Sequence, residues 1–214
     1  MSQRATKGTQ LAGATLGKRD LRAHVIEVAR DLIFSQPLTT VSIRQIANAS
    51  GMSPSHVLYY FGTKDELLFE TWMWHEESLA RARRLAYSRM PSAAERLRHF
   101  VECAAPAPHD PHWLLWFYVL ARQTDDQRIA RRVAQIQAVW LSDLTDAIEY
   151  GVGIEEFNNP DPAAFSIRLQ AYIDGLALNV VNEISWITRQ TMIEWALDFA
   201  AEGLGCSMRP PPEA

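Results

Sequence analysis

The chain has 214 residues, 48% of them hydrophobic and seven of them tryptophan, which is ample for a packed core. It contains no run of eighteen or more apolar residues, and the apolar stretch 113–121 is too short to span a bilayer, so no membrane partner is expected; nor is a secretory signal, because the N-terminus has no continuous apolar stretch. The net charge of −4 argues at first sight against a nucleic-acid partner, but residues 1–64 hold eight Lys/Arg and three acids, leaving thirteen and twenty-two for the rest.

Residues 1–18 are small, polar and weakly basic and read as a disordered arm. From Arg19, apolar positions Leu21, Val25, Ile26, Ala29, Leu32 and Ile33 recur at helical spacing, predicting a helix to near Pro37. Ser42-Ile-Arg-Gln45 is a capping box that opens a short helix through Ala49. Gly51 supplies a tight turn, and Ser53-Pro54 starts another short helix, which Gly62 ends after Phe61. Thr63-Lys-Asp-Glu66, a second capping box, opens a long helix to about Ser88. Further helices are predicted at 92–104, 112–124, 126–150, 162–186 and 189–204, with Asp161-Pro162 and Thr188 as caps and Gly203 and Gly205 as stops. No strand pattern occurs, so the fold class is all-α. The domains expected are the arm, a head of three helices over 19–64, a helical body over 65–206 and a disordered tail over 207–214.

Two short helices joined by a Gly-containing turn, with a third before them, form a helix-turn-helix pattern. The last of the three must be apolar on one side and polar on the other to enter a major groove. Val57 and Phe61, four apart, face inward; Ser55, His56, Tyr59 and Tyr60 are left outside. Exposed charges are screened within about 8–10 Å, so a basic head on an acidic body still attracts phosphate.

The run Thr39-Thr-Val-Ser-Ile-Arg-Gln-Ile-Ala, followed by Gly51-Met-Ser-Pro-Ser-His-Val-Leu-Tyr-Tyr-Phe-Gly-Thr-Lys-Asp-Glu-Leu-Leu68, resembles the DNA-binding signature of the TetR family of transcriptional regulators, and within it the BetI-like branch. The match covers residues 20–68. The resemblance implies that Thr40 and Ser42 hydrogen-bond phosphates at the start of the bracing helix and that Arg44 reaches backbone or a groove edge. It implies base contacts from Ser55, His56 and Tyr59, with Ser53 capping their helix. Tyr60 and Lys64 would hold phosphate. The residues also allow blander roles: Tyr60 packing over the core, Lys64 a solvated charge, His56 a surface residue. Leu58 departs from the family, where a DNA-facing Tyr is common.

For the body, the resemblance implies a dimer built from the last two long helices, to suit a palindromic operator. Phe165, Leu169, Tyr172, Leu176 and Val180 form one stripe, and Trp195 and Phe199 enrich the final helix; the same spacing suits the monomer's own core. Asp174-Gly175-Leu176, with Asp161-Pro162-Ala163, is similar to the BetI-like C-terminal signature. An aromatic cluster suggests a pocket for a small hydrophobic, aromatic or cationic effector, with Trp72, His75, Trp113, Trp116, Phe117, Trp140 and Asn179 as candidate lining. Core packing is the alternative role for each aromatic.

No phosphate-binding loop, dinucleotide glycine run, His-Glu-x-x-His or Gly-x-Ser-x-Gly pattern exists, so no catalytic residues, cofactors or enzyme activity are expected. His109-Asp-Pro-His112 is not read as a metal site, because its prolines forbid a regular helix and no further ligand lies at spacing. Cys103 and Cys206 have no partner at metal or redox spacing, which suits a reducing cytoplasm. The function expected is a homodimeric repressor released from its operator by an effector. The alternatives are an activator or effector-independent regulator of the same fold and, more remotely, a helical enzyme or binding protein.

Overall fold

The computed structural model describes residues 18–124, 126–159 and 161–207. Among the described residues the chain is entirely helical: α1 (Lys18–Ser35), a 3₁₀ turn (Leu38–Thr40), α2 (Ile43–Ala49), α3 (Pro54–Phe61), α4 (Lys64–Tyr87), α5 (Ala93–Ala104), α6 (Pro111–Gln123), α7 (Gln127–Gly153), α8 (Pro162–Val181) and α9 (Arg189–Leu204). The expected arm lies outside the described residues except for Lys18, which opens α1; the expected tail lies outside them except for Ser207.

Helix starts follow from local chemistry. The first backbone N–H groups of a helix have no partner within it, and a short polar side chain just before them supplies one. Ser42, Ser53, Thr63, Ser92, Asp161 and Thr188 each accept from a backbone N–H three residues on. Ser42 and Gln45 complete a reciprocal capping box.

α7 runs on to Gly153, three residues beyond expectation, and a second helix end differs more. α8 stops at Val181 instead of 186. Glu183 adopts a positive φ of 49°, and the N–H of His109 donates to the Val181 carbonyl at 2.9 Å, so the α5–α6 connector satisfies the end of the helix. Ile184 and Trp186 are left on an exposed loop.

Two apolar cores form. One gathers α1–α3 with the first half of α4, and continues past residue 64 through Leu67, Leu68, Trp72 and Met73 to Leu115 and Val119 of α6 and Val133 of α7. The other gathers α5, α7, α8 and α9 around Leu97, Phe100, Leu144 and Leu169. Trp140 packs against both.

Most of the stripe read as a dimer interface is buried within the chain itself. Phe165, Leu169, Leu176 and Val180 are buried in the chain's own second core. α8 packs against α5, α7 and α9. Tyr172 is half-buried and stacks on Phe199 at 4.8 Å; Trp195 and Phe199 are half-buried as well. The opposite face of α8 exposes Ile167, Ala171 and Leu178.

Candidate nucleic-acid interface and ligand cavity

α2 and α3 are joined through Gly51, whose φ of 69° suits the left-handed turn that lets the chain reverse. The N–H of Met52 closes the turn on the Ala47 carbonyl at 2.8 Å. Val57 and Phe61 anchor α3 in the head's core. Ser55, His56, Leu58 and Tyr59 lie outside it, with Tyr59 72% exposed.

Tyr60 is half-buried, its ring 5.2 Å from His56 and 5.5 Å from Tyr59, and its carbonyl accepts from Arg22 Nη1 at 2.7 Å. The hydroxyls of Ser42 and Ser53 serve as helix caps. Thr40 is exposed and donates its hydroxyl to the Pro37 carbonyl at 2.7 Å. Arg44 is exposed on α2, and Lys64 is half-buried at the first position of α4.

The body holds a cavity between α4, α5, α6, α7 and α8, about 520 Å³ with its open mouth included. Trp113, Trp116 and Trp140 line it, as expected of them. Glu76 and His112, which the sequence reading did not select, line it too, as do Gln170 and Asp174. Glu76 is 5% exposed; Oε1 lies 2.8 Å from His112 Nε2 and Oε2 accepts from Trp140 Nε1 at 2.7 Å. Burial raises its pKa, but the hydrogen bonds from His112 and Trp140 outweigh this and hold it below the ordinary value. A buried, ionised carboxylate thus faces three indoles.

The other four candidates do not line this cavity. Trp72 is fully buried in the first core, stacked on Trp116 at 5.0 Å, because its position on α4 points into the head. His75 lies edge-on to His112 and Phe34, at 4.9 and 5.0 Å. Burial and the nearby His112 push its pKa down to about 4. Phe117 packs edge-on to Trp113 at 6.0 Å, one turn further along α6. Asn179 donates its amide to the Gly175 carbonyl within α8.

Residues 93–205 match the family described as BetI-type transcriptional repressor, C-terminal, and residues 25–71 match bacterial regulatory proteins of the tetR family. The chain belongs to the TetR family, BetI type. The HTH-type transcriptional regulator BetI of Brucella anthropi is 31% identical over 134 residues, 60% of this chain and 67% of that protein. The Brucella abortus BetI matches at the same identity over 66% of its own length, so the match spans about two thirds of these relatives.

Solved structures share the TetR fold. A protein from Saccharomonospora viridis, described as a transcriptional regulator in complex with choline, aligns at a TM-score of 0.75 and 24% identity, covering 86% of this chain and 97% of that one. A TetR transcription regulator from Haloarcula marismortui aligns at 0.73 and 18%, covering 87% and 99%.

In this TetR-family chain the head and cavity are joined by α4, which carries Lys64 at one end and Glu76 three turns on. Its first turn is gripped by the body: Asp65 accepts from Tyr118 Oη at 2.5 Å and Arg122 Nε at 2.7 Å, and Glu66 pairs with Arg128. Glu76 had a sequence signal. It sits four after Trp72, three after Met73 and four before Ala80, an acid on an otherwise apolar stripe. Among the described residues no three His, Cys, Asp or Glu side chains are placed to hold a metal ion, and no helix is long and apolar enough to cross a membrane.

Proposed function

We propose that this TetR-family chain is a homodimeric repressor that leaves its operator when a small organic cation enters the cavity. The observation that carries the reading is the wall of Trp113, Trp116 and Trp140 around the buried carboxylate of Glu76. Indole faces attract a cation through their quadrupole, and a quaternary ammonium loses little on leaving water. The choline held by the Saccharomonospora viridis protein supports this effector class. The BetI-type repressor family supports repression.

In this reading Ser55, His56 and Tyr59 face base edges, and Leu58 offers apolar contact for a thymine methyl. Thr40, Ser42, Arg44, Tyr60 and Lys64 hold phosphate, with Ser53 fixing the start of the recognition helix. Two copies meet across the exposed Ile167, Ala171 and Leu178 face of α8 with the half-buried Trp195 and Phe199 of α9. Their recognition helices would then sit about 34–36 Å apart, one turn of DNA. A cation pulling on Glu76 shifts α4 and changes that separation.

The test is a gel shift of the full chain on the DNA upstream of its own gene, at two salt concentrations, with and without choline. A salt-sensitive, sequence-specific complex that choline dissociates is the expected result. Absence of a specific complex would overturn the regulator reading; a complex indifferent to choline and to tetramethylammonium would overturn the effector class.

A further inference from the structure

The guanidinium of Arg22, on α1, joins three helices of the head at one point. Nη1 donates to the main-chain carbonyl of Tyr60 at 2.7 Å, and Nη2 pairs with the carboxylate of Glu70 on α4. The charge lies 4.7 Å from the centroid of the Phe61 ring. Both partners of the ion pair are half-buried.

The last carbonyls of a helix have no partner within it. At the end of α3 the chain's own turn answers two of them: the N–H of Gly62 donates to the Leu58 carbonyl at 2.7 Å and that of Thr63 to the Phe61 carbonyl at 2.9 Å. The Tyr60 carbonyl is answered from another helix, and by a cation, which the negative end of the helix dipole favours. Arginine suits this position because its planar fork holds donors at fixed angles, so one side chain bonds the carbonyl and Glu70 together. A lysine ammonium is a single point on a flexible stem.

This contact restrains α3 in a way that its apolar anchors do not. Val57 and Phe61 are four residues apart and lie along one line of the helix. Packing along one line leaves a short helix free to rock about it. The Tyr60 carbonyl stands off that line, and fixing it stops the rocking. Ser55, His56 and Tyr59 turn with whatever turns α3. A basic residue on the head would ordinarily count toward attraction of phosphate, but the charge of Arg22 is met by Glu70.

We propose that Arg22 is a positioning residue for sequence recognition. Held by Glu70, it fixes the orientation of α3 on the DNA and so governs discrimination between sequences, without itself binding phosphate. The inference rests on the DNA-binding role of α3 and adds to it a residue outside the contact surface.

The test compares wild type, Arg22→Gln, Glu70→Gln and the double variant, all full-length, by fluorescence anisotropy on two duplexes. One duplex is the region upstream of the chain's own gene; the other is its shuffled counterpart of equal length and composition. Titrations run at several salt concentrations, below the thermal midpoint of the least stable variant. One amide cannot serve both the Tyr60 carbonyl and Glu70, so in Arg22→Gln the ratio of the two affinities should fall about tenfold, the worth of about one base contact. The slope of log K against log salt should stay as in the wild type. Glu70→Gln keeps an acceptor for Arg22 but not its charge, and should lower the ratio by about threefold. Both changes break one link, so the double variant should discriminate no worse than Arg22→Gln alone.

An unchanged ratio in Arg22→Gln, whatever its melting point, overturns the inference, because Arg22 then only stabilises the head. So does a salt slope shallower by about 0.9, which would make Arg22 a phosphate contact. If Arg22→Gln does not fold, an unchanged ratio in Glu70→Gln overturns it equally. A wild type that does not distinguish the two duplexes removes the DNA-recognition reading along with it.

Discussion

The indole N–H of Trp140 donates to Oε2 of Glu76 at 2.7 Å, tying α7 to the helix that leaves the DNA-binding head. The same ring lies under the guanidinium of Arg83, 3.6 Å from its centroid. Glu76 and Arg83 are seven residues apart and so share one face of α4, and Trp140 bridges them. Trp140→Phe keeps an aromatic ring, smaller than the indole, and deletes the donor. Glu76 Oε2 is then buried without a partner, which costs about 1–3 kcal/mol. Urea unfolding should show that loss, and cation titration should show weakened binding; an unchanged midpoint would mean water replaces the donor without cost.

Behind Trp140 the charge of Arg83 is met by Asp143, at 2.6 Å from Nη2 and 3.1 Å from Nε, with both side chains 1% exposed. Arg84 takes the other Asp143 oxygen at 2.9 Å. Removing one partner of a buried pair leaves an uncompensated charge. Asp143→Leu is therefore expected to cost about 3–5 kcal/mol, and Arg83→Met combined with Asp143→Leu much less than the sum of the two single changes. Denaturant midpoints of the three variants check this, and additive losses would contradict the pairing.

The helices and the head could be read from the chain because their signals are local. Ser42 with Gln45, Ser53 with Pro54 and Thr63 with Glu66 mark helix starts within four residues, and α3 has one buried and one outward side. The cavity could not be read this way, because it is a meeting of α4, α5, α6, α7 and α8. Trp72 and Trp116 are equally aromatic, yet one is core and the other lines the cavity, and nothing in spacing separates them. The α8 stripe has the same ambiguity: periodicity gives a buried face, and only tertiary packing decides whether another helix of the chain or a second copy buries it.

On the proposed DNA interface, Lys64 and Tyr59 should fail in different ways. Lys64→Ala removes one cation, so affinity should fall for every sequence and the slope of log K against log salt should become shallower by about 0.9. Tyr59→Ala should leave that slope unchanged and narrow the gap between operator and unrelated DNA by about 1–3 kcal/mol. Binding isotherms at several salt concentrations on both DNAs separate the two roles. A salt-slope change in Tyr59→Ala would instead make it a backbone contact.

Gly203 is a close-approach position. A Cβ there would lie 2.1 Å from the ring of Phe165, which is buried and stacked at 5.8 Å on Phe199. Gly203→Ala gains about 1 kcal/mol of helix propensity but forces a packed aromatic ring to move, at about 1–3 kcal/mol, so a net loss is expected. Gly153, near the end of α7, has nothing within 4 Å of such a Cβ, and Gly153→Ala should be neutral or stabilising. Thermal melts of the two variants make the comparison, with opposite signs expected.

Acid sensitivity should come from two groups that oppose each other. His75 has its pKa lowered to about 4 by burial and by the charge of His112, partly offset by Glu76. Between pH 6.5 and 4 the unfolded chain takes up a proton that the folded one refuses, so His75 lowers stability as pH falls, by up to about 1.4 kcal/mol per pH unit. Asp174 works the other way. Its folded pKa of about 6 lies above the ordinary 3.8, so between those values the folded chain holds the extra proton and stability rises as pH falls. Asp174 reaches solvent, and screening makes its slope the shallower of the two. Wild type should therefore weaken only gently from pH 6.5 to 4.5. Asp174→Asn should steepen that loss, and His75→Phe should reverse its sign. Urea midpoints across this range test the balance, and a His75→Phe profile that still falls with acid would show that another histidine governs it.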